Sequence, residues 1–301
     1  MSSLNYDTCT LCPRRCGVNR AAGKIGYCKM PGHIVAARAA AHYWEEPVIS
    51  GDFGSGAVFF SGCTLGCKFC QNEEISHGGK GQPIDSVRLR EIFEELIDRG
   101  VSNINLVTGT QFLPSILPAL TPKLPVPVVW NSSGYETFET LRALEGLVDV
   151  YLPDFKYATP ELGARLAGAP DYPAVAAAAI REMYRQTGPA VLEDNLLVKG
   201  TLVRHLLLPD QVDNALAVID WVADSFPAGD VLFSLMRQYT PAGRLAHTPP
   251  FDRPVTDEEY DGALSWMYLR GLESGFTQEA SASGECFIPP FDGEGLSRCF
   301  T

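Results

Sequence analysis

The chain has 301 residues, 46% of them apolar, and a formal net charge of −12. This length and composition predict a globular protein with a sizeable core. The negative charge argues against nucleic-acid binding, which depends on Lys and Arg neutralising phosphates. No apolar run approaches the ~20 residues that cross a bilayer, and the first residues lack the features of a secretory signal. We therefore expect a cytoplasmic protein without a membrane span.

Strand-like and helix-like patterns alternate through the middle of the chain. The apolar run Val58–Phe60 precedes Asp85–Arg99, in which Leu89, Ile92 and Leu96 share one helical face. Six such units predict an α/β fold, a partial (β/α)6 TIM-like barrel with ligands at the carboxyl ends of its strands. The other predicted strands are Ile104–Val107, Val126–Trp130, Val148–Leu152, Leu202–Leu208 and Val231–Leu235, and the helices that follow them are Phe112–Leu120, Glu136–Leu144, Pro160–Gln186, Gln211–Phe226 and Thr256–Glu273.

The barrel pattern leaves additional residues at both ends of the chain. We expect a Cys-rich N-terminal extension at residues 1–55, the barrel at 56–275 and a short C-terminal tail at 276–301. The tail contains Cys286 and Cys299, which are isolated in the sequence.

The extension holds four cysteines within twenty residues: Cys9, Cys12, Cys16 and Cys28. A segment this short cannot build a core of its own, so a metal that organises it is physically sensible. Tetrahedral zinc would act as a structural clip, and a four-cysteine iron–sulfur cluster would relay electrons. The spacing does not separate these two alternatives, and free thiols are the third.

A second cysteine motif, CxxxCxxC, directly follows the first predicted strand. Its members are Cys63, Cys67 and Cys70. Three thiolates in one loop can hold three irons of a 4Fe–4S cluster and leave the fourth iron open. An open iron can chelate the amino and carboxylate groups of S-adenosylmethionine. A structural zinc site is the alternative, but zinc prefers a fourth ligand and the motif contains no His.

At these residues the chain resembles the radical S-adenosylmethionine (radical SAM) superfamily, in which the position of Phe69 is aromatic. It is most similar to a group of uncharacterised proteins related to pyruvate formate-lyase activating enzyme. The resemblance implies a partial barrel, a bound 4Fe–4S cluster and S-adenosylmethionine lying across the strand ends. The matching segments are CTLCPRRCGVNR, HYWEEPVISG, VFFSGCTLGCKFCQN, NLVTGTQFLP, WNSSGYE, YLPDFKY, VRHLLLP and MRQYTPAG.

Two features depart from the resemblance. Many members carry a Gly-Gly-Glu-like stretch that receives the methionine amino group, where this chain has Thr108, Gly109 and Thr110. The contact would then come from backbone carbonyls or threonine hydroxyls. Residues 71–107 also contain no cysteine, unlike the ferredoxin-like insert of several glycyl-radical activating enzymes.

Polar residues follow the third predicted strand. Asn131 and Ser133, with Ser132 and Gly134, are suited to hydrogen-bond the ribose or carboxylate of a nucleoside ligand. The same residue types also form a turn and a helix N-cap. Both interpretations remain open at this point.

Three later strands also end in candidate cofactor-binding residues. Asp154 and Lys156 resemble the Asp-x-Lys of the activating enzymes, although a strand-end ion pair would use the same residues. Arg204 and His205 are neighbours in a strand, so they point to opposite faces and at most one enters the barrel. Met236 matches a family position for adenine packing, and it is equally suited to fill the core.

Glu45 and Glu46 are adjacent carboxylates ahead of the cysteine triad. They have the residue type of a paired acid and base, but such neighbours usually form a solvated acidic step.

The leading hypothesis is a radical SAM enzyme that cleaves S-adenosylmethionine to a 5′-deoxyadenosyl radical for hydrogen abstraction, as in glycyl-radical activating enzymes. It requires a reducing donor such as flavodoxin or ferredoxin. The alternatives are a radical SAM modifier of a peptide or small metabolite, and a non-catalytic iron–sulfur or metal-binding protein.

Overall fold

A computed structural model describes residues 4–273, 275–277 and 289–298 of the chain. One sheet runs through these residues in the order β10-β9-β8-β6-β5-β4-β2-β1-β3, with β7 paired to β8 outside this path. The strands are β1 (Ile34–His42), β2 (Ser55–Phe60), β3 (Gln82–Ile84), β4 (Ile104–Val107), β5 (Val128–Ser132), β6 (Val150–Pro153), β7 (Val191–Glu193), β8 (Leu196–Leu206), β9 (Leu232–Met236) and β10 (Phe276–Thr277).

Seven neighbouring strands of the described sheet are parallel: β2, β4, β5, β6, β8, β9 and the two-residue β10. The first six are the strands that the sequence predicts. Within the described residues β3 and β10 remain as edges, so the sheet is open and does not close into a full ring. The expected partial α/β barrel is therefore confirmed.

Helices cover the outside of the sheet. In α3, Leu89, Ile92 and Leu96 are buried as the periodicity predicts, and the Asp85 side chain caps the helix by accepting from the Arg88 N–H. The helices are α1 (Pro47–Ser50), α2 (Glu73–Ser76), α3 (Ser86–Asp98), α4 (Leu113–Ile116), α5 (Phe138–Leu144), α6 (Pro160–Ala167), α7 (Tyr172–Thr187), α8 (Val212–Ser225) and α9 (Asp257–Leu269).

Two predicted helices have a different form in the structure. The prediction of one helix over Pro160–Gln186 is wrong, because α6 ends at the left-handed Gly168 (φ 60°) and α7 begins four residues later. The predicted helix Phe112–Leu120 is broken into one turn of α-helix flanked by 3-10 turns at 110–112 and 117–120.

Residues ahead of β2 complete the barrel wall and close its lower end. β1 pairs antiparallel with β2, so the sheet includes part of the proposed extension. Ile49 of α1 belongs to a buried apolar cluster with Val129 and Val150, near the amino ends of β5 and β6, and with Leu202 of β8. The division into extension, barrel and tail stays a prediction, and Cys286 and Cys299 lie outside the described residues.

None of the helices in the described part of the chain is long and apolar enough to cross a bilayer.

Candidate functional site

A cavity of about 230 Å³ opens at the carboxyl ends of the parallel strands. Its wall includes the triad loop after β2 and residues from the ends of β4, β5, β6, β8 and β9. The predicted site residues that line it are Cys63, Cys67, Phe69, Cys70, Thr108, Asn131, Ser133, Asp154, Lys156, Arg204 and Met236. Gly109 and Thr110 are not among the described residues of the wall.

Each cysteine of the triad accepts a hydrogen bond at its sulfur. The Tyr157 hydroxyl donates to Cys67 Sγ at 3.0 Å, and the Ser76 hydroxyl donates to Cys70 Sγ at 3.3 Å. The Gly66 N–H donates to Cys63 Sγ at 3.4 Å. Such donors stabilise the negative charge of thiolate ligands.

Burial and a nearby cation act on the triad thiols in opposite directions. Burial raises the pKa of Cys67 to about 12, and it also raises the pKa of Cys63 and of Cys70. The charge of Lys156 lowers the pKa of all three. Since a metal binds the thiolate form, the site releases protons when it takes up a metal.

The donor set of the triad fits a 4Fe–4S cluster with one open iron. Three sulfurs face one cavity, and each already has a hydrogen-bond donor. In the described residues no three His, Cys, Asp or Glu side chains stand ready-grouped around one metal position. A 4Fe–4S cluster binds each cysteine through a different iron, so the three sulfurs do not need to meet at one metal position.

Phe69 fixes the end of the triad loop from within the core. Its ring packs edge-on against Tyr157 at 6.5 Å and Tyr239 at 6.0 Å between ring centroids. The Tyr239 hydroxyl in turn donates to the Phe251 carbonyl at 2.7 Å. The aromatic position of the motif thus anchors the loop rather than only bordering the cavity.

Of the three residues after β4, Thr108 reaches the cavity, with a left-handed backbone at φ 60°. The Thr110 hydroxyl is buried and donates to Glu136 Oε1 at 2.7 Å. Burial raises the pKa of Glu136 to about 7, and its Oε2 has no hydrogen-bond partner among the described residues. The Thr110 hydroxyl, which the sequence suggests as a ligand contact, is thus hydrogen-bonded to a buried carboxyl group.

A buried ion network forms the polar side of the cavity, centred on Arg204. Its guanidinium donates to Glu45 Oε2 at 2.7 Å, to Asp154 Oδ1 at 2.9 Å and to Asn131 Oδ1 at 2.8 Å. Lys156 Nζ bonds the other oxygen of Asp154 at 2.5 Å. Burial alone would raise the pKa of Asp154, yet the charges of Lys156 and Arg204 hold it below its usual value.

Glu45 and Glu46 are the residues that the sequence interpretation placed wrongly. Both side chains are under 10% exposed and lie within 4 Å of Arg204, so they are not a solvated acidic step. Glu45 reaches the barrel interior because α1, directly after it, closes the lower end. The adjacent carboxylates carry no sequence signal of this placement.

Arg204 and His205 lie on opposite faces of β8, as the alternation of side chains along a strand predicts. Arg204 enters the cavity, while His205 is fully buried elsewhere, with Nδ1 at 2.6 Å from the Phe155 carbonyl oxygen. Met236 and Gln238 after β9 line the cavity, as do His42 and Trp44 beside the entrance to α1.

The four N-terminal cysteines lie close to one another. Cys9, Cys12 and Cys28 are buried, and burial raises the pKa of Cys12 to about 12, with smaller contributions from the other three thiols. The Tyr27 N–H donates to Cys16 Sγ at 3.2 Å.

Arg14, between Cys12 and Cys16, ties this segment to the triad loop. Its guanidinium stacks on the Tyr27 ring at 3.8 Å. It also donates to four backbone carbonyls, those of Thr64 (3.1 Å), Leu65 (2.9 Å), Ala167 (2.8 Å) and Gly168 (2.5 Å).

A second arginine reaches the same loop through a glutamine. Arg20 is buried and donates to the Gln111 carbonyl at 2.7 Å and to Cys9 Sγ at 3.6 Å. The Gln111 side chain donates to the carbonyls of Ser61 (2.9 Å) and Gly62 (3.2 Å). The N-terminal segment therefore holds both the start and the middle of the triad loop.

Comparison with known proteins places the chain in a family. A model of the radical SAM superfamily matches residues 57–220. An uncharacterized protein of Methanocaldococcus jannaschii is 30% identical over 272 residues, which cover 86% of this chain and 74% of the relative.

Among solved structures, SuiB of Streptococcus suis bound to the precursor peptide SuiA is 12% identical, with a TM-score of 0.49, over 72% of this chain and 46% of SuiB. Methylornithine synthase is 12% identical, with a TM-score of 0.48, over 71% of this chain and 68% of the synthase. The chain thus spans about half the length of SuiB. With a family match over more than half of its residues and the cysteine triad on the barrel cavity, the chain belongs to the radical SAM superfamily.

Proposed function

We propose that the protein binds a 4Fe–4S cluster through Cys63, Cys67 and Cys70 and cleaves S-adenosylmethionine reductively to begin radical chemistry. The observation that carries the proposal is the convergence of three hydrogen-bonded sulfurs and a buried ion network on one cavity. When bound, the cluster and S-adenosylmethionine supply a 5′-deoxyadenosyl radical that abstracts hydrogen from a substrate.

The chain's own residues divide the cavity into a polar and an apolar part. Asp154 is a carboxylate held in place by Lys156 and Arg204, and it suits the methionine amino group. Lys156 and Arg204 supply positive charge for a carboxylate. Asn131 and Ser133 present short polar groups on the same wall. Met236 and Thr108 also line the cavity, where they would border the rest of the bound S-adenosylmethionine.

The apolar part of the wall limits the access of water to this chemistry. Phe59, Phe60, Leu65, Phe69 and Tyr239 line the cavity and are almost fully buried. A wall of this kind protects a reactive species from side reactions with solvent.

We also propose a second metal at Cys9, Cys12, Cys16 and Cys28. The support is their burial, their closeness and the N–H and guanidinium donors that already face two of the sulfurs. Metal analysis of a Cys63→Ala, Cys67→Ala, Cys70→Ala variant separates the alternatives, because zinc, iron or neither remains when the triad is removed.

The substrate proposal follows from the hydrogen abstraction. A glycine of a partner protein is the form that a glycyl-radical activating enzyme would take, and a peptide or small metabolite is the alternative. Incubation with deuterated candidate substrates identifies the class, because deuterium appears in 5′-deoxyadenosine only when the labelled substrate supplies the hydrogen.

The deciding experiment is anaerobic reconstitution with iron and sulfide, reduction with dithionite and an assay for 5′-deoxyadenosine. The triple Cys→Ala variant of the triad is the control. We expect product from the native protein alone. A native protein with a full, reducible cluster that yields no product contradicts the proposal and leaves the non-catalytic metal-binding hypothesis in its place.

A further inference from the structure

Three cationic residues lie in or beside the triad loop. Lys68 lies within the loop, and Arg244 donates its backbone N–H to the Lys68 carbonyl at 2.7 Å. Lys29 and Arg244 are exposed, and both lie close enough to His77 for their charges to lower its pKa, after the larger effect of burial. We call Lys29, Lys68 and Arg244 the basic rim.

A short chain of polar contacts connects the basic rim to a sulfur of the triad. Lys29 Nζ donates to the His77 carbonyl at 3.4 Å. His77 Nδ1 lies 2.9 Å from Ser76 Oγ, which donates to Cys70 Sγ at 3.3 Å. Lys29, at the exposed end of this chain, is therefore separated from Cys70 by only two residues.

The charge of this region is opposite to that of the whole protein. Residues 1–42 contain six Lys and Arg and one Asp, a net charge of +5, whereas the complete chain carries −12. Arg15, Lys24 and Lys29 of this segment are exposed. Next to them Ile25 is 59% exposed and Tyr27, whose hydroxyl bonds the Leu65 carbonyl of the triad loop, is 44% exposed.

Two acidic residues of α2 lie beside the rim. Glu73 lies near His77, and Glu74 is paired with Lys80 at 2.6 Å. The three cations of the rim outnumber these two carboxylates, of which Glu74 is already paired, so this group of described residues carries a net positive charge. A positive surface with exposed apolar side chains attracts an acidic protein and gives it something to pack on.

We propose that the basic rim, with Ile25 and Tyr27, is the docking surface for an acidic one-electron carrier protein. This inference rests on the proposed function, which requires an electron for the triad cluster. One electron passes from the reduced carrier to the cluster, the carrier is oxidised by one electron, and no bond or proton changes. None of Ile25, Tyr27, Lys29, Lys68 and Arg244 lines the cavity, so docking on them leaves the cavity wall to S-adenosylmethionine and substrate.

Charge reversal tests the proposal with flavodoxin as the acidic probe. The test variant is Lys29→Glu with Arg244→Glu, which touches no residue of the cavity wall. The matched control is Lys123→Glu with Lys199→Glu, an equal change of charge at exposed positions near the amino ends of β5 and β8. Affinity for oxidised flavodoxin is measured from flavin fluorescence at two salt concentrations, with and without the cluster.

We expect the test variant to bind flavodoxin about tenfold more weakly at low salt, with the difference shrinking as salt is added, while the control stays within about twofold of the native protein. The rate of 5′-deoxyadenosine formation should fall in the test variant with flavodoxin as donor and stay unchanged with dithionite.

Equal flavodoxin affinity in the two variants overturns the docking proposal, and product formed with dithionite then leaves the proposed function standing. Absence of product with dithionite in the native protein contradicts the proposed function instead. The affinity measurement still decides the docking surface in that case, because it does not depend on turnover.

Discussion

Arg14→Ala is the most direct perturbation of the link between the N-terminal segment and the triad loop. The substitution removes four charge-assisted hydrogen bonds to backbone carbonyls. Two of those carbonyls, of Leu65 and Ala167, keep the Tyr27 hydroxyl as a donor, and the Gly168 contact is exposed. The loss is therefore smaller than four full bonds, and we expect the free energy of unfolding to fall by about 2–4 kcal/mol.

The neighbouring Arg15 provides a matched control. Its side chain is 57% exposed and makes one ion pair with Glu139 at 3.7 Å, so Arg15→Ala should cost less than about 0.5 kcal/mol. Urea unfolding measures both values, and hydrogen exchange of residues 61–70 shows whether the triad loop is the part that loosens. Equal stability and equal exchange in the two variants would refute the reasoning.

Three further predictions concern single residues. The pKa of Glu136 is about 7 in the folded chain and 4.5 when unfolded, so between these pH values the folded chain binds a proton that the unfolded chain has released. The free energy of unfolding should therefore fall by about 3 kcal/mol as the pH rises from 4.5 to 7. Glu136→Gln should remove this dependence when urea unfolding is measured at the two pH values. Gly62→Ala places a Cβ 2.2 Å from Cγ of Met30, whereas a Cβ at Gly17, which also has a positive φ, meets no described atom within 4 Å. In urea unfolding, Gly62→Ala should therefore lower the free energy of unfolding by about 1–3 kcal/mol more than Gly17→Ala. Tyr157→Phe removes the donor to Cys67 Sγ, and a redox titration should give a lower reduction potential for the bound cluster; an unchanged potential would contradict a role for that hydrogen bond.

Local periodicity was sufficient to predict the barrel strands. The six predicted strands are short apolar runs between amphipathic helices, and they follow one another in the sheet in chain order, as successive strand–helix–strand units usually do. The opposite orientation of Arg204 and His205 follows from the two-residue period of a strand. These features depend on residues close together in the sequence.

The parts that sequence did not predict depend on distant contacts. Glu45 is buried because Arg204, 159 residues later, and Asn131 meet it inside the barrel. The Thr110 hydroxyl donates to Glu136, 26 residues later, and does not line the cavity. β1 gives only a run of small residues, mostly alanine, and becomes a strand through its pairing with β2. In each case the deciding partner is invisible to a short window of sequence.

Lys156 connects the two halves of the candidate site electrostatically. Burial opposes the thiolate form of every triad cysteine, and the Lys156 charge favours it, which lowers the cost of forming metal ligands. Lys156 is itself held by Asp154, and Asp154 is held by Arg204. Because Arg204 is fixed in turn by Glu45 from the segment ahead of α1, the residues below the barrel set the position of the cation beside the triad. Glu45 and the triad cysteines are thus linked electrostatically through Arg204, Asp154 and Lys156, although they belong to different elements of the fold.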